Sequence, residues 1–214
     1  MQRQVQVIVA LALAALPAVP AAAADNGWTL RLSGAWVKPD IEVREKVSDF
    51  PIDAGSNGAV GVGAGLEYRV RPWVGLGLDA LHSQPEIVLE ADLPDGRRRV
   101  SDSLRFTPLT LGPVVHLTPG KVVDLTVTAM LGFAVYGDLQ FAVDGQELRL
   151  QAGTDVVWGL GAAIDIRPGA SNWGIHAGVR RYQSTPEFTN KDNGASGSAA
   201  LNPVVVNLGV VYRF

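Results

Sequence analysis

The chain has 214 residues, with 18 basic and 21 acidic side chains, 24 glycines and a slightly positive mean hydropathy of +0.16. It has no cysteine, so neither a disulfide framework nor a thiolate zinc site can form. A formal charge of −3 offers no footprint for nucleic acid.

Arg3 precedes the apolar stretch from Val5 to Val19, and Ala22, Ala23 and Ala24 supply small residues for cleavage. This pattern predicts a secretory signal peptide over residues 1–24. Gln6, Pro17 and Pro20 interrupt the run, which suits a spanning helix of about 20 apolar residues poorly. Residues 25–214 then form one domain with 17 basic and 21 acidic side chains. No further apolar run is long enough for a helical span.

Period-two alternation recurs through that domain. Trp28, Leu30, Leu32, Gly34 and Trp36 share one face, with Thr29, Arg31, Ser33, Ala35 and Val37 on the other. A second strand runs Val60 to Val70 and a third Val74 to Ala80, with glycines and charges on their polar faces. Leu109 to Leu117 and Val123 to Phe133 are the fourth and fifth. Val156 to Ile164, Trp173 to Val179 and Val204 to Phe214 complete the set. Eight strands of about ten residues suit an antiparallel transmembrane barrel.

The connections favour a membrane over a soluble sandwich. Arg71-Pro72, Thr118 to Lys121 and Arg167 to Asn172 are tight joints. Asp40 to Asn57, Ser83 to Ser103, Asp138 to Gly153 and Thr185 to Asn202 are long and polar, as extracellular loops are. Long and short joints alternate without exception. In lipid an open sheet edge leaves backbone groups unpaired, so the first strand is expected to pair with the last.

The chain resembles the outer-membrane protein W family over nearly all of the mature sequence. The resemblance rests on "WTLRLSGAWVKPD", "LRFTPLTLGPVVHLTPGKVVDLTVTAMLGFAVYG" and "LNPVVVNLGVVYRF". Family members open the fourth strand with leucine-proline-proline-threonine-leucine, whereas Thr107-Pro108-Leu109-Thr110-Leu111 stands here. The resemblance implies an eight-stranded barrel in the cell outer membrane that binds or passes small hydrophobic molecules. The alternative is a structural or surface-recognition barrel with a closed lumen. Family members of the conducting kind carry bulky apolar and aromatic residues in the extracellular half. Arg180, Arg181, Tyr182 and Gln183 at the matching end of the seventh strand depart from that. Leu208, Val210, Tyr212 and the terminal Phe214 resemble the signal read by the outer-membrane barrel assembly machinery.

Candidate site residues follow from the inward phase. Arg31, Glu67, Arg69, Asp79, His116, Asp124, Asp155, Asp165, His176 and Arg180 are expected to face the lumen, whose width in an eight-stranded barrel side chains can fill. Such charges either pair into a plug or border a narrow passage through the volume freed by Gly61, Gly63, Gly65, Gly75, Gly77, Gly159 and Gly161. Pro108 lacks a ladder donor and marks the candidate lateral opening. His82, His116 and His176 lie on different strands without ligand spacing, so no catalytic, metal or cofactor role is expected, and the chain is not expected to be an enzyme. Expected partners are outer-membrane lipid, lipopolysaccharide phosphates near Arg97, Arg98 and Arg99, the assembly machinery and small hydrophobic molecules, with no nucleic acid.

Overall fold

The computed structural model describes residues 27–43, 52–93, 96–143, 146–169 and 171–214. The expected signal peptide lies outside them. Sixteen strands follow in chain order: β1 (Trp28–Lys38), β2 (Ile41–Val43), β3 (Ile52–Asn57), β4 (Ala59–Arg71), β5 (Val74–Ser83), β6 (Glu86–Leu93), β7 (Gly96–Ser103) and β8 (Phe106–His116). The second half holds β9 (Val123–Tyr136), β10 (Leu139–Val143), β11 (Gln146–Ala152), β12 (Thr154–Ile166), β13 (Trp173–Gln183), β14 (Glu187–Asn190), β15 (Ser196–Leu201) and β16 (Val204–Arg213).

Eight of these close on themselves in the order β1-β16-β13-β12-β9-β8-β5-β4, every pair antiparallel. They are the eight strands that the alternation marks. The closing seam runs from Thr29 opposite Arg213 to Lys38 opposite Val204, and the Phe214 amide donates to the Trp28 carbonyl at 2.9 Å. Closure leaves no sheet edge at membrane depth.

The apolar phase of each strand faces outward. Leu32, Leu78, Leu111, Leu131, Phe133, Leu160, Ile175 and Leu208 are all exposed, as lipid-facing side chains are. Aromatic rings gather at the end with the tight turns. Trp28 packs against Tyr68 with the rings tilted and centroids 4.9 Å apart, Trp173 likewise against Tyr212 at 4.6 Å, and Tyr212 meets Phe214 edge-on at 4.9 Å. Trp36 stands toward the opposite end of β1. Amphipathic rings favour the two interfaces of a bilayer.

The four long connections are not the plain polar loops that their composition suggests. They carry β2, β3, β6, β7, β10, β11, β14 and β15, arranged as a five-stranded sheet β10-β11-β14-β15-β2 and a three-stranded sheet β3-β6-β7. Each short strand continues or precedes a barrel strand, so the two sheets repeat the circular order of the barrel as a collar above it. β10 lies against β7 and β2 against β3 without a ladder between them. At the first of these seams the Gly137 amide donates to the Arg105 carbonyl at 2.9 Å and the Gln140 amide to Asp102 Oδ2 at 2.6 Å. Inward-facing apolar side chains in the segments explain the order: Ile87, Leu104, Leu139, Phe141 and Leu201 are buried and form one cluster with the upper barrel.

Leu111, midway along β8 and 50% exposed, tests the facing. Leu111→Arg is expected to destabilise the barrel by about 2 to 4 kcal/mol at the bilayer midplane. Denaturant unfolding from lipid vesicles measures it, and unchanged stability contradicts the outward placement.

Candidate functional site

The interior divides along the barrel axis. Toward the tight turns, inward positions of β1, β4, β8, β9, β12 and β13 carry charge, and the structure draws those charges into one network. The Arg31 guanidinium donates from Nη2 to Glu67 Oε2 and to Asp165 Oδ2, both at 2.8 Å, and from Nε to Asp165 Oδ2 at 3.1 Å. His176 Nδ1 donates to Asp165 Oδ1 at 2.6 Å, and its Nε2 meets Asn207 Nδ2 at 2.9 Å. His116 Nε2 donates to Glu67 Oε1 at 2.6 Å, while its Nδ1 lies 2.9 Å from Asp124 Oδ2. Arg69 Nη2 donates to Asp124 Oδ2 at 3.0 Å, and Arg167 stands 4.0 Å from that oxygen.

Three guanidiniums thus face three carboxylates across the lumen. Side-chain exposure falls to 0% at Glu67 and stays at or below 10% for Arg31, Arg69, Asp124 and Asp165. Buried charge is tolerated only when paired and hydrogen-bonded, and removal of one partner typically costs 3–5 kcal/mol. A separate pair, Arg180 Nη2 to Asp79 Oδ1 at 2.7 Å, sits nearer the middle.

Two of the inward glycines make room for these carboxylates. A Cβ at Gly75 would come 2.5 Å from Glu67 Oε1, and one at Gly65 the same distance from Asp79 Oδ1. At these two positions the freed volume is filled by carboxylates and does not form a passage. What remains open among Ser33, Gly63, Asp79, Arg180 and Asn207 is a void of about 10 Å³, the room one water needs.

Toward the collar the same inward phase turns apolar. Phe106 packs on Tyr136 with centroids 5.6 Å apart and on Tyr182 at 6.1 Å. Leu81, Met130, Val157 and Val205 close around them, each at most 5% exposed. Leu104, Leu139, Phe141 and Leu201 continue the cluster upward, flanked by Leu148, Leu150 and Phe188. The Tyr136 hydroxyl is hydrogen-bonded to Ser184 Oγ, which donates to the Leu201 carbonyl. This corrects the expectation of a charged extracellular half. Arg180 turns down to Asp79, Arg181 is 58% exposed with its nearest acid Asp40 at 4.0 Å, and Tyr182 alone enters the upper lumen. The signal lay in the sequence at Leu81, Phe106, Met130 and Val205, all in the inward phase and all apolar.

Asp155 keeps the inward phase, opposite the buried Ala134, but does not join the ion pairs. It lies at the upper rim, half-buried, and accepts from the Thr185 amide at 2.6 Å, outside the network. Pro108 points inward and is buried. Its missing N–H falls on the side of β5: paired positions step from Ala80 opposite Leu109 to Ser83 opposite Phe106, while Pro108 opposite Ala134 is intact on the β9 side. On the lipid face His82 Nδ1 and Thr107 Oγ1, 2.9 Å apart, bridge the weakened stretch. The side chains of Arg97 and Arg98 lie outside the described residues. Among the described residues no group of histidine and acid side chains could hold a metal ion. His116 and His176 are hydrogen-bonded to carboxylates, an arginine and an amide, with no nucleophile among the partners described.

Replacing Glu67 by Ala leaves Arg31 and His116 without their shared anion and is expected to cost about 3 to 5 kcal/mol of stability. Ser33→Ala on the same lumen wall serves as the control, expected within about 0.5 kcal/mol. Denaturant unfolding of the refolded barrels measures both, and equal effects contradict the network's role.

A family model described as the outer membrane protein beta-barrel domain matches residues 8–214. No curated protein sequence matches the chain. Among solved structures, the outer membrane protein OprG from Pseudomonas aeruginosa is similar with a TM-score of 0.64 at 12% identity, covering 88% of this chain and 96% of that one. AlkL, solved in lipid bilayers, gives 0.59 at 14% identity with 93% and 95% covered. Neisserial surface protein A gives 0.56 at 12% identity with 88% and 97% covered. At these identities the likeness is one of fold, the all-β barrel that the W-family resemblance implied.

Proposed function

The chain belongs to the outer membrane protein β-barrel domain family, and on that premise we propose that it takes small apolar molecules into its upper lumen and releases them sideways into the bilayer. Export with loss of residues 1–24 is part of this reading.

The observation that carries it is the division of the lumen. An unbroken apolar interior runs from Phe106, Tyr136 and Tyr182 into the collar, above a floor of buried ion pairs. An apolar molecule gains about 25 cal/mol for each Å² withdrawn from water, which favours the upper chamber and disfavours the charged floor. Passage along the axis would separate ion pairs that lack any replacement partner. A sideways exit between β5 and β8 asks less, because Pro108 has already removed one ladder bond there. The collar seams at β2/β3 and β7/β10 supply entry, since no ladder joins those strands.

A second reading, a closed barrel that presents its collar for recognition, draws on the tight packing of the chamber, whose neighbouring void is only about 10 Å³. The two readings diverge in one experiment. The chain has no cysteine, so His82→Cys with Thr107→Cys places a single oxidisable pair across the weakened stretch. Uptake of a hydrophobic dye by cells carrying the oxidised double variant is expected to fall to the level of cells without the protein and to recover on reduction. Uptake unchanged by oxidation contradicts the lateral route, and wild-type cells no faster than empty ones favour the recognition reading.

Assembly by the barrel machinery belongs to the same proposal. Phe214 closes the aromatic belt and is 43% exposed, so its loss removes little burial. Deletion of Phe214 is expected to lower the assembled barrel in cells severalfold while refolding of purified protein into detergent stays near wild type. Equal losses in both assays would make the residue merely structural.

A further inference from the structure

Charge is distributed unequally between the two ends of the barrel. The long segments 38–59, 83–106, 137–155 and 181–203 hold 16 acidic and 10 basic residues. At the other end, the turns and strand ends carry Arg71, Lys121, Arg167 and Arg213, and among the described residues there the acidic side chains Glu67, Asp124 and Asp165 are buried in the network. Arg71 and Lys121 are exposed, and Trp73 and Trp173 beside these turns are 57% and 59% exposed.

We propose that the turn end is a docking surface for anionic phospholipid headgroups of the periplasmic leaflet, with Arg71 and Lys121 as its cationic contacts and Trp73 and Trp173 as its interfacial anchors. Depth and charge converge on this occupant. Exposed indoles settle at the headgroup level of a bilayer, which brings the adjoining guanidinium and ammonium groups to the phosphates of the same leaflet. Neither cation has an acid beside it on its turn: Arg71-Pro72-Trp73 and Leu117 to Val122 contain none. A lysine or arginine held near an anionic surface is worth about 1 kcal/mol, or roughly fivefold in local lipid preference. The collar, with its acidic excess, has the opposite bias, so the barrel is matched to a bilayer whose phospholipid lies on the turn side.

The test compares lipid retention by the full barrel. Wild type and Arg71→Gln with Lys121→Gln are placed in nanodiscs of mixed phosphatidylethanolamine and phosphatidylglycerol. Protein released into mild detergent is then analysed for the lipids it keeps. Wild type is expected to enrich phosphatidylglycerol at least fivefold, falling toward the bulk ratio in the double variant and in high salt. Arg99→Gln with Lys191→Gln, at the collar, folds as a charge-matched control and is expected to leave the enrichment intact. No enrichment in wild type overturns the proposal, as does an enrichment that the collar variant lowers as much as the turn variant. Loss of binding to peptidoglycan sacculi in the turn variant, with lipid retention unchanged, overturns it in favour of a cell-wall contact.

Discussion

Lipid offers a backbone N–H or C=O no hydrogen-bond partner, and every other feature of this molecule is arranged around that constraint. A sheet satisfies it only by closing, and here the closure is between β1 and β16, the two ends of the domain. Closure of eight strands leaves an interior about as wide as the side chains that fill it. Whatever alternates with the lipid-facing phase is therefore forced into contact with its counterparts from across the barrel. Arg31 on β1 meets Asp165 on β12 and Glu67 on β4 because no other direction is open to it.

The interior is consequently two materials stacked along one axis. The lower half balances guanidiniums against carboxylates, with His116 and His176 as hydrogen-bonding spacers. The upper half is aromatic and aliphatic and merges with the collar. A hydrophilic solute finds no wet path through the upper half, and an apolar one finds no partner in the lower. The wall between β5 and β8 lacks a ladder bond at Pro108, and His82 and Thr107 bridge it there from outside.

The barrel strands were legible because lipid demands an apolar residue at every second position, so Val60 to Val70 or Val204 to Phe214 can hardly be anything else. The inward charges were legible for the same reason, by elimination. The upper chamber was harder to read, because an apolar residue in the inward phase, such as Leu81, Met130 or Val205, reads as a lapse of alternation until its partners across the barrel are known. Tyr182 was misread with its neighbours as a polar strand end, although consecutive residues point to opposite faces. The collar was hidden by composition. Its strands are short, rich in acids, and ordered by the barrel beneath them more than by their own propensity.

The central claim is that buried ion pairs close the lumen, and the most direct test is current through the purified full barrel in a planar bilayer. The account predicts no steady conductance to potassium chloride above the bare membrane, because Arg31, Arg69, Glu67, Asp124 and Asp165 leave no continuous water column. A large, steady and ohmic conductance from single insertions would contradict it.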